Sequence, residues 1–247
     1  MEEVSKTNPT VMTSTPPVAR ASPSYDWSDR LSYCWYEAGF WLSFTGMTLA
    51  FSLRTEGYRS VPPAGPALLI ANHQSFLDPV LVGLAARRHL HYLARRTLFH
   101  HWGLSWLMRS LNGVPINQEG FAREGLKTIL DQLQAGHAVV VYPEGERTAD
   151  GKMQSFRPGI YLLIKRVDMP IVPVGIAGSF DAWPRHRPLP ALAPLFWPRC
   201  KGTIAVSIGK PIHTRSLREK PREQVLEELF IAVRNAQERA ERLRRKV

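Results

Sequence analysis

Short apolar runs alternate with longer stretches of helical periodicity from residue 57 to residue 215. Short runs bounded by turn residues predict buried strands, and apolar positions three and four residues apart predict helices that pack by one face. The predicted strands are 67–71, 90–94, 114–116, 138–142, 171–176 and 203–208, and the predicted helices are about 78–87, 102–111, 121–135 and 159–167. Such alternation is typical of an α/β fold, a mainly parallel sheet covered by helices.

The chain before this central region, 56–215, divides into two parts. Residues 1–25 carry Ser, Thr and Pro without a contiguous apolar stretch, which predicts a disordered arm rather than a signal peptide. Residues 26–55 are apolar and aromatic, and their uncharged part, 38–53, has 16 residues, fewer than the roughly 20 that a membrane span prefers. The aromatic excess favours a segment that associates with a membrane interface. A single span and a buried core helix are the alternatives.

Residues 216–247 predict a C-terminal amphipathic helix. Ser216 and Glu219 stand at the spacing of a capping box at its start. Apolar residues then recur on one helical face, at Val225, Leu226, Leu229, Phe230, Val233 and Ala236. The last residues are basic, which suits either a solvated helix end or contact with an anionic membrane.

The composition narrows the class of partner. The 247 residues include 32 Lys and Arg against 21 Asp and Glu, a net charge of +11, so an anionic partner is expected: nucleic acid, anionic lipid or a phosphorylated small molecule. No nucleic-acid-binding motif occurs, and we expect no nucleic-acid partner. Two cysteines without metal-ligand spacing exclude a disulfide scaffold and a structural zinc site, and we expect no metal.

The segment 72–78 follows one predicted strand and leads into a helix. In an open parallel sheet, ligands bind beyond the carboxyl ends of the strands, where this segment would lie. Asp78 stands five residues after His73 and can fold back to accept a hydrogen bond from one imidazole nitrogen. Ionised by the helix dipole, Asp78 would fix the tautomer of His73 and leave the other nitrogen free to take a proton. The pair predicts a general base without a protein nucleophile; an ordinary Asp-Pro helix start is the alternative.

A second polar segment, 143–148, follows the strand predicted at 138–142 and should reach the same edge of the sheet. Gly145 lets the backbone approach a ligand closely, and Arg147 offers a fork of donors for a phosphate. Glu144 can accept hydrogen bonds from substrate hydroxyls. Alone, the segment is also compatible with an ordinary turn.

Together, the two segments resemble a known family. NHQSFLD at 72–78 and PEGERT at 143–148 are similar to the first and third motif blocks of the glycerolipid acyltransferase family, and the resemblance extends from about Glu56 to Ile212. It implies that His73 deprotonates the acceptor hydroxyl and that Asp78 supports it. It also implies that the acceptor is bound by Glu144, Gly145 and Arg147, with Asn72, Ser75, Gln118 and, from the fourth block at 171–174, Pro173 as further candidates.

The second motif block departs from the family pattern. The family usually has an arginine there that is thought to meet the acceptor phosphate, and this chain has Gln118. A neutral amide cannot replace a guanidinium against a phosphate. The resemblance therefore supports acyl transfer more strongly than it supports a lysophosphatidate acceptor.

The resemblance implies an enzyme of membrane phospholipid synthesis that transfers a fatty acyl group from acyl-CoA or acyl carrier protein to a lysophospholipid hydroxyl, most directly that of 1-acylglycerol-3-phosphate. Backbone or side-chain donors near Gly145 are expected to stabilise the oxyanion that develops. The acceptor can instead be a lipid without a phosphate, such as a lyso-aminolipid or a glycolipid. A basic binding module without enzyme activity is a remote alternative. No cofactor is expected beyond the donor, and we expect the catalytic domain to face the cytoplasmic side of a membrane. The sequence does not predict an oligomeric state.

Overall fold

The computed structural model describes residues 27–96, 100, 102, 105, 112–116, 121–195 and 202–245. The arm at 1–25, most of the helix predicted at 102–111 and Gln118 lie outside these ranges. The strands are β1 (Arg54–Glu56), β2 (Ala67–Ala71), β3 (Leu90–Arg95), β4 (Gly113–Ile116), β5 (Ala138–Val141), β6 (Pro170–Ala177), β7 (Ala205–Ile208) and β8 (Ile212–His213). The helices are α1 (Trp27–Phe51), α2 (Asp78–Ala86), α3 (Phe121–Gln134), α4 (Gly159–Arg166), α5 (Ser179–Ala182) and α6 (Arg222–Arg245).

The strands form one sheet in the order β1-β7-β6-β2-β5-β3-β4, with β8 paired to the start of β6. The five strands from β6 to β4 are parallel to their neighbours, which confirms the predicted α/β fold with a mainly parallel sheet. The strand at 205–208 is an exception, because β7 runs antiparallel to β6. Parallel pairing brings the carboxyl ends of β6, β2 and β5 to one edge, and we call this the catalytic edge.

The core lies on both faces of the sheet. Alternate residues of β2 point to opposite faces, so Leu69 packs with one buried cluster and Leu68 with the other. The first cluster includes α2 and the end of α1, and the second includes apolar residues of α3, α4 and α6. Covered on both faces, the central strands are fully apolar, and this is why the sequence predicted them.

The apolar segment predicted at 26–55 forms helix α1 and the short strand β1. One side of α1 packs against the core through Phe40, Phe44 and Met47, so part of the segment is a core helix. Its other side exposes Trp41 and Leu42, which are 55% and 77% exposed. No helix within the described ranges combines the length and the apolar content needed to cross a membrane.

The predicted C-terminal helix is confirmed, but its start is not. Helix α6 begins at Arg222, and Ser216 lies in a preceding 3₁₀ turn. The Ser216 hydroxyl donates to the carbonyl of His213, so the predicted capping box is wrong. The helix crosses β6 at Gly175, where an added Cβ would lie 1.9 Å from the backbone nitrogen of Gln237. Only glycine permits this approach.

Candidate active site

His73 and Asp78 are in contact at the catalytic edge. The loop between β2 and α2, which we call the histidine loop (residues 72–77), places Nδ1 of His73 2.8 Å from Oδ2 of Asp78. The expected hydrogen bond between the two side chains is therefore present. Asp78 is fully buried, whereas the His73 side chain is 19% exposed. With Nδ1 held by the carboxylate, Nε2 is the nitrogen available for proton transfer.

Asp78 also fixes the backbone of the histidine loop. Its Oδ2 accepts the backbone N–H groups of Gln74 and Ser75, with N···O distances of 2.6 and 2.8 Å. Leu77 occupies the N-cap position of α2 and makes no side-chain cap bond, so Asp78 does not cap this helix. Asp78 instead occupies the first turn of α2, where the helix dipole favours its negative charge. One oxygen thus orients both the imidazole and the loop that carries it.

Tyr142 forms the floor beneath the imidazole. Its ring stacks on the His73 ring with a centroid distance of 4.0 Å and an interplanar angle of 20°. Burial raises the pKa of the Tyr142 phenol well above its usual value, and the nearby charge of Asp78 raises it further. Sequence reasoning missed this residue. The available signal was its position, because Tyr142 follows β5 directly and therefore reaches the same edge as His73.

Glu144 lies at the predicted edge of the sheet, with its carboxylate enclosed by backbone N–H groups. The side chain is 3% exposed, and each carboxylate oxygen accepts a backbone N–H: Oε1 that of His73 and Oε2 that of Gln154, both at 2.7 Å. Each oxygen thus already holds a donor inside the protein, and the expected role of Glu144 in binding substrate hydroxyls stays a prediction. Burial raises the pKa of Glu144 to about 7, although the two N–H donors lower it.

We call residues 142–151, which contain Glu144, the glutamate loop. Two further hydrogen bonds tie it to the histidine loop: the Thr148 N–H donates to the His73 carbonyl at 2.9 Å, and the Gln74 side-chain amide donates to the Gly151 carbonyl at 2.8 Å. The two loops therefore form one unit at the catalytic edge, as the sequence predicts. Gln74, which the sequence did not single out, belongs to this link.

Gly145 turns the glutamate loop in the left-handed region, at φ 81°. A Cβ there would lie 2.4 Å from Nε of Arg157, which itself donates to the Glu144 carbonyl. The Gly145 N–H donates to the Tyr142 carbonyl, so this donor is not aimed at an oxyanion. Gly145 thus shapes the turn, and any oxyanion donor must come from another group.

Arg147 lies over an aromatic ring of the histidine loop. Its guanidinium carbon is 3.5 Å from the centroid of Phe76, a cation–π contact. Phe76 is 50% exposed. Arg147 therefore lies next to the histidine loop, and its role in binding the acceptor stays a prediction.

In the structure, the remaining candidate residues contact other parts of the protein itself. Asn72 is buried and joins β2 to β6, because its amide donates to the Ile176 carbonyl and its oxygen accepts the Ile176 N–H. Ser75 is buried and its hydroxyl donates to the Trp183 carbonyl. Pro173 is buried within β6, opposite Ile70. Roles for these residues in substrate binding stay predictions.

Comparison with known proteins identifies the family. Residues 52–177, about half of the chain, match the family described as Acyltransferase. This chain belongs to that acyltransferase family. The resemblance read from the two motifs is confirmed, and both loops fall within the matched residues.

Named relatives of this acyltransferase family member include a plant and a bacterial protein. The chain is 26% identical, over 66% of its length, to the 1-acyl-sn-glycerol-3-phosphate acyltransferase LPAT1, chloroplastic, of Arabidopsis thaliana, and it covers 44% of that protein. It is 25% identical, over 76% of its length, to the 1-acyl-sn-glycerol-3-phosphate acyltransferase of Pseudomonas aeruginosa, and it covers 68% of that protein. The chain thus spans less than half the length of the plant relative.

The fold also has a solved counterpart. The 1-acyl-sn-glycerophosphate (LPA) acyltransferase PlsC from Thermotoga maritima is similar with a TM-score of 0.71, over 91% of this chain and 86% of that chain. The two are 22% identical, so this likeness concerns the fold. Among the residues described here, no group of three His, Cys, Asp or Glu side chains is placed to bind a metal ion.

Proposed function

We propose that this protein transfers a fatty acyl group from an acyl thioester, acyl-CoA or acyl carrier protein, to the hydroxyl of a lysophospholipid, with 1-acylglycerol-3-phosphate as the leading acceptor. The observation that carries this proposal is the hydrogen bond of 2.8 Å between Nδ1 of His73, which is partly exposed, and the buried carboxylate of Asp78. Family membership and the relatives named for this reaction support it.

In the proposed reaction, His73 acts as the general base. Nε2 takes the proton of the acceptor hydroxyl while the hydroxyl oxygen attacks the thioester carbonyl carbon. The tetrahedral intermediate collapses with cleavage of the C–S bond, and the thiolate leaves with the proton returned by the imidazolium. Asp78 remains ionised throughout and stabilises the imidazolium through Nδ1, as a buried carboxylate does in hydrolase triads. No other cofactor takes part.

A lipid acceptor without a phosphate is the second candidate. Gln118 favours it, because the resemblance places an arginine at this position and an amide carries no charge for a phosphate. We propose the phosphate acceptor as the first choice because the relatives are named for 1-acyl-sn-glycerol-3-phosphate and because Arg147 lies next to the histidine loop. A basic binding module without enzyme activity would not account for the linked histidine and glutamate loops.

We also propose that the protein associates with a membrane, with its catalytic edge on the cytoplasmic side. Helix α1 supports association, because Trp41 and Leu42 are exposed next to a core-packed face. Exposed Trp at such a face suits the membrane interface, and the net charge of +11 suits anionic lipid. The acyl acceptor would then be reached from the bilayer.

A panel assay tests the proposed function. Purified protein is incubated with labelled oleoyl-CoA or labelled oleoyl-acyl carrier protein and with four acceptors: 1-oleoylglycerol 3-phosphate, 1-oleoylglycerol, a lyso-aminolipid and a lysoglycolipid. We expect acylated product with the first acceptor and a lower kcat/KM with the others. A preference for a phosphate-free acceptor would replace the first choice by the second, and no product with any acceptor and either donor would contradict acyl transfer.

A further inference from the structure

A surface cavity of about 340 Å³, open to solvent, lies beside the histidine loop. Cavities of this size are at the lower end of the range for small-molecule sites. One wall is the Phe76 ring, and the other walls belong to the segment that follows α5, which we call the arginine loop (residues 183–192). The lining residues are Phe76, Trp183, Arg185, His186, Arg187 and Pro188.

The arginine loop is tied directly to the active site. The Ser75 hydroxyl donates to the Trp183 carbonyl at 2.7 Å, and the Phe76 and Trp183 rings lie 5.5 Å apart. Arg185 also donates, at 3.4 Å, to the carbonyl of Arg147, which lies on the glutamate loop. The cavity therefore lies next to the two loops that carry the proposed chemistry.

The arginine loop is also held in shape from within. The Trp183 indole N–H donates to the Arg187 carbonyl, and Arg187 donates in turn to the Asp181 carbonyl. Arg244 of α6 anchors the base of the loop by a 2.8 Å ion pair with Asp181. A loop that is already ordered loses little conformational entropy when it binds a ligand.

The charge of the cavity is positive. Arg185 and Arg187 line it, and the lining that the structure describes contains no carboxylate. The nearest described carboxylate to Arg185 is that of Glu146, at 3.9 Å, and its side chain is 62% exposed. Because a long, exposed ion pair is weak, a ligand anion can replace Glu146 as the partner of Arg185.

We propose that this cavity binds a phosphate group of a substrate of the acyl transfer, held by Arg185 and Arg187. Guanidinium groups bind phosphate through paired N–H donors, which an ammonium or an amide cannot match. The resemblance places a phosphate-binding arginine where this chain has the neutral Gln118, whereas Arg185 and Arg187 carry the charge that such a group needs. This inference rests on the proposed function, and the phosphate belongs either to the lipid acceptor or to the acyl donor.

The test compares pairs of substrates in which one member carries phosphate and the other does not. The acceptors are 1-oleoylglycerol 3-phosphate and 1-oleoylglycerol, and the donors are oleoyl-CoA and the oleoyl thioester of N-acetylcysteamine. KM is measured for wild type, for the double variant Arg185→Gln with Arg187→Gln, and for the control Arg166→Gln. Arg166 is an exposed arginine at the end of α4, just before β6 starts at the opposite edge of the sheet.

We expect the double variant to raise KM about tenfold or more for one phosphate-bearing substrate and to leave its phosphate-free counterpart unchanged, with no effect of Arg166→Gln. The affected pair identifies the phosphate as that of the acceptor or of the donor. Glu146→Gln, which removes the competing carboxylate, should lower the same KM. Equal changes for both members of each pair, or an equal effect of the control, would overturn the proposal.

A binding measurement separates failure of this site from failure of the proposed function. Calorimetry with glycerol 3-phosphate and with coenzyme A as probes needs no turnover. Binding of either probe to wild type that is lost in the double variant and kept in Arg166→Gln supports the cavity even if no acyl transfer occurs. Binding that is equal in all three proteins, or absent from wild type, contradicts the proposed site.

Discussion

Oε1 of Glu144 accepts the backbone N–H of His73 across 2.7 Å, and this bond joins two loops that are 71 positions apart in the chain. The other oxygen accepts the N–H of Gln154, so the carboxylate is enclosed by the protein. Glu144 therefore positions the backbone of the proposed general base, and it does so as a buried group with a pKa near 7.

The raised pKa of Glu144 predicts a pH dependence of stability. Its usual pKa is 4.5 and its folded value is about 7, so between these pH values the folded protein keeps a proton that the unfolded chain has lost. The contribution of this proton to the free energy of unfolding is complete below pH 4.5 and is lost as the pH rises through 7, by about 3 kcal/mol.

Urea unfolding of wild type and Glu144→Gln at several pH values between 5 and 8 measures this effect. The glutamine cannot titrate, so wild type should lose stability relative to the variant as the pH rises. Glu146→Gln, a change at an exposed neighbour, serves as the matched control and should run parallel to wild type. Parallel curves for wild type and Glu144→Gln would show that the carboxyl group does not titrate in this range.

Removing the hydroxyl of Tyr142 and removing its ring should have different effects on catalysis. The ring stacks on His73, whereas the hydroxyl is buried without a hydrogen-bond partner in the described part of the structure. Tyr142→Phe should keep kcat and should not reduce the free energy of unfolding, because it removes an unpaired buried polar group. Tyr142→Leu should lower kcat about tenfold by loosening the imidazole. Steady-state kinetics and urea unfolding check both, and equal kcat values for wild type, Phe and Leu would contradict a positioning role.

The sequence predicts the parallel core because β2, β5 and β6 are continuous apolar runs that end at polar segments. It does not predict the antiparallel direction of β7. That direction depends on the connection between α5 and β7, and the long, proline-containing sequence of this connection has no periodic pattern. The contact between His73 and Asp78 follows from their spacing. The role of Glu144 could not be predicted from the sequence, because its partners are backbone N–H groups, which every residue except proline carries.

Changes on the exposed side of helix α1 should weaken membrane binding without affecting catalysis. Replacing the exposed Trp41 and Leu42 by serine removes apolar surface while Phe40 and Phe44 still pack on the core. This double variant should bind vesicles of phosphatidylglycerol and phosphatidylcholine at least about tenfold more weakly. Its turnover of a short-chain, dispersed acceptor should be unchanged.

Co-sedimentation measures the binding. The control is Leu162→Ser, a change at an exposed leucine of α4. Equal binding of wild type and the double variant would show that this face does not contact lipid.

The proposed general base is tested most directly by single-turnover acyl transfer from oleoyl-CoA to 1-oleoylglycerol 3-phosphate with His73→Ala. The control is His213→Ala, a change at an exposed histidine of β8, which pairs with the start of β6 at the opposite edge. Loss of general-base assistance should lower the rate of the chemical step by about 10²–10⁴-fold, with the free energy of unfolding retained and the control unchanged. A His73→Ala protein that transfers the acyl group as fast as wild type would contradict the account.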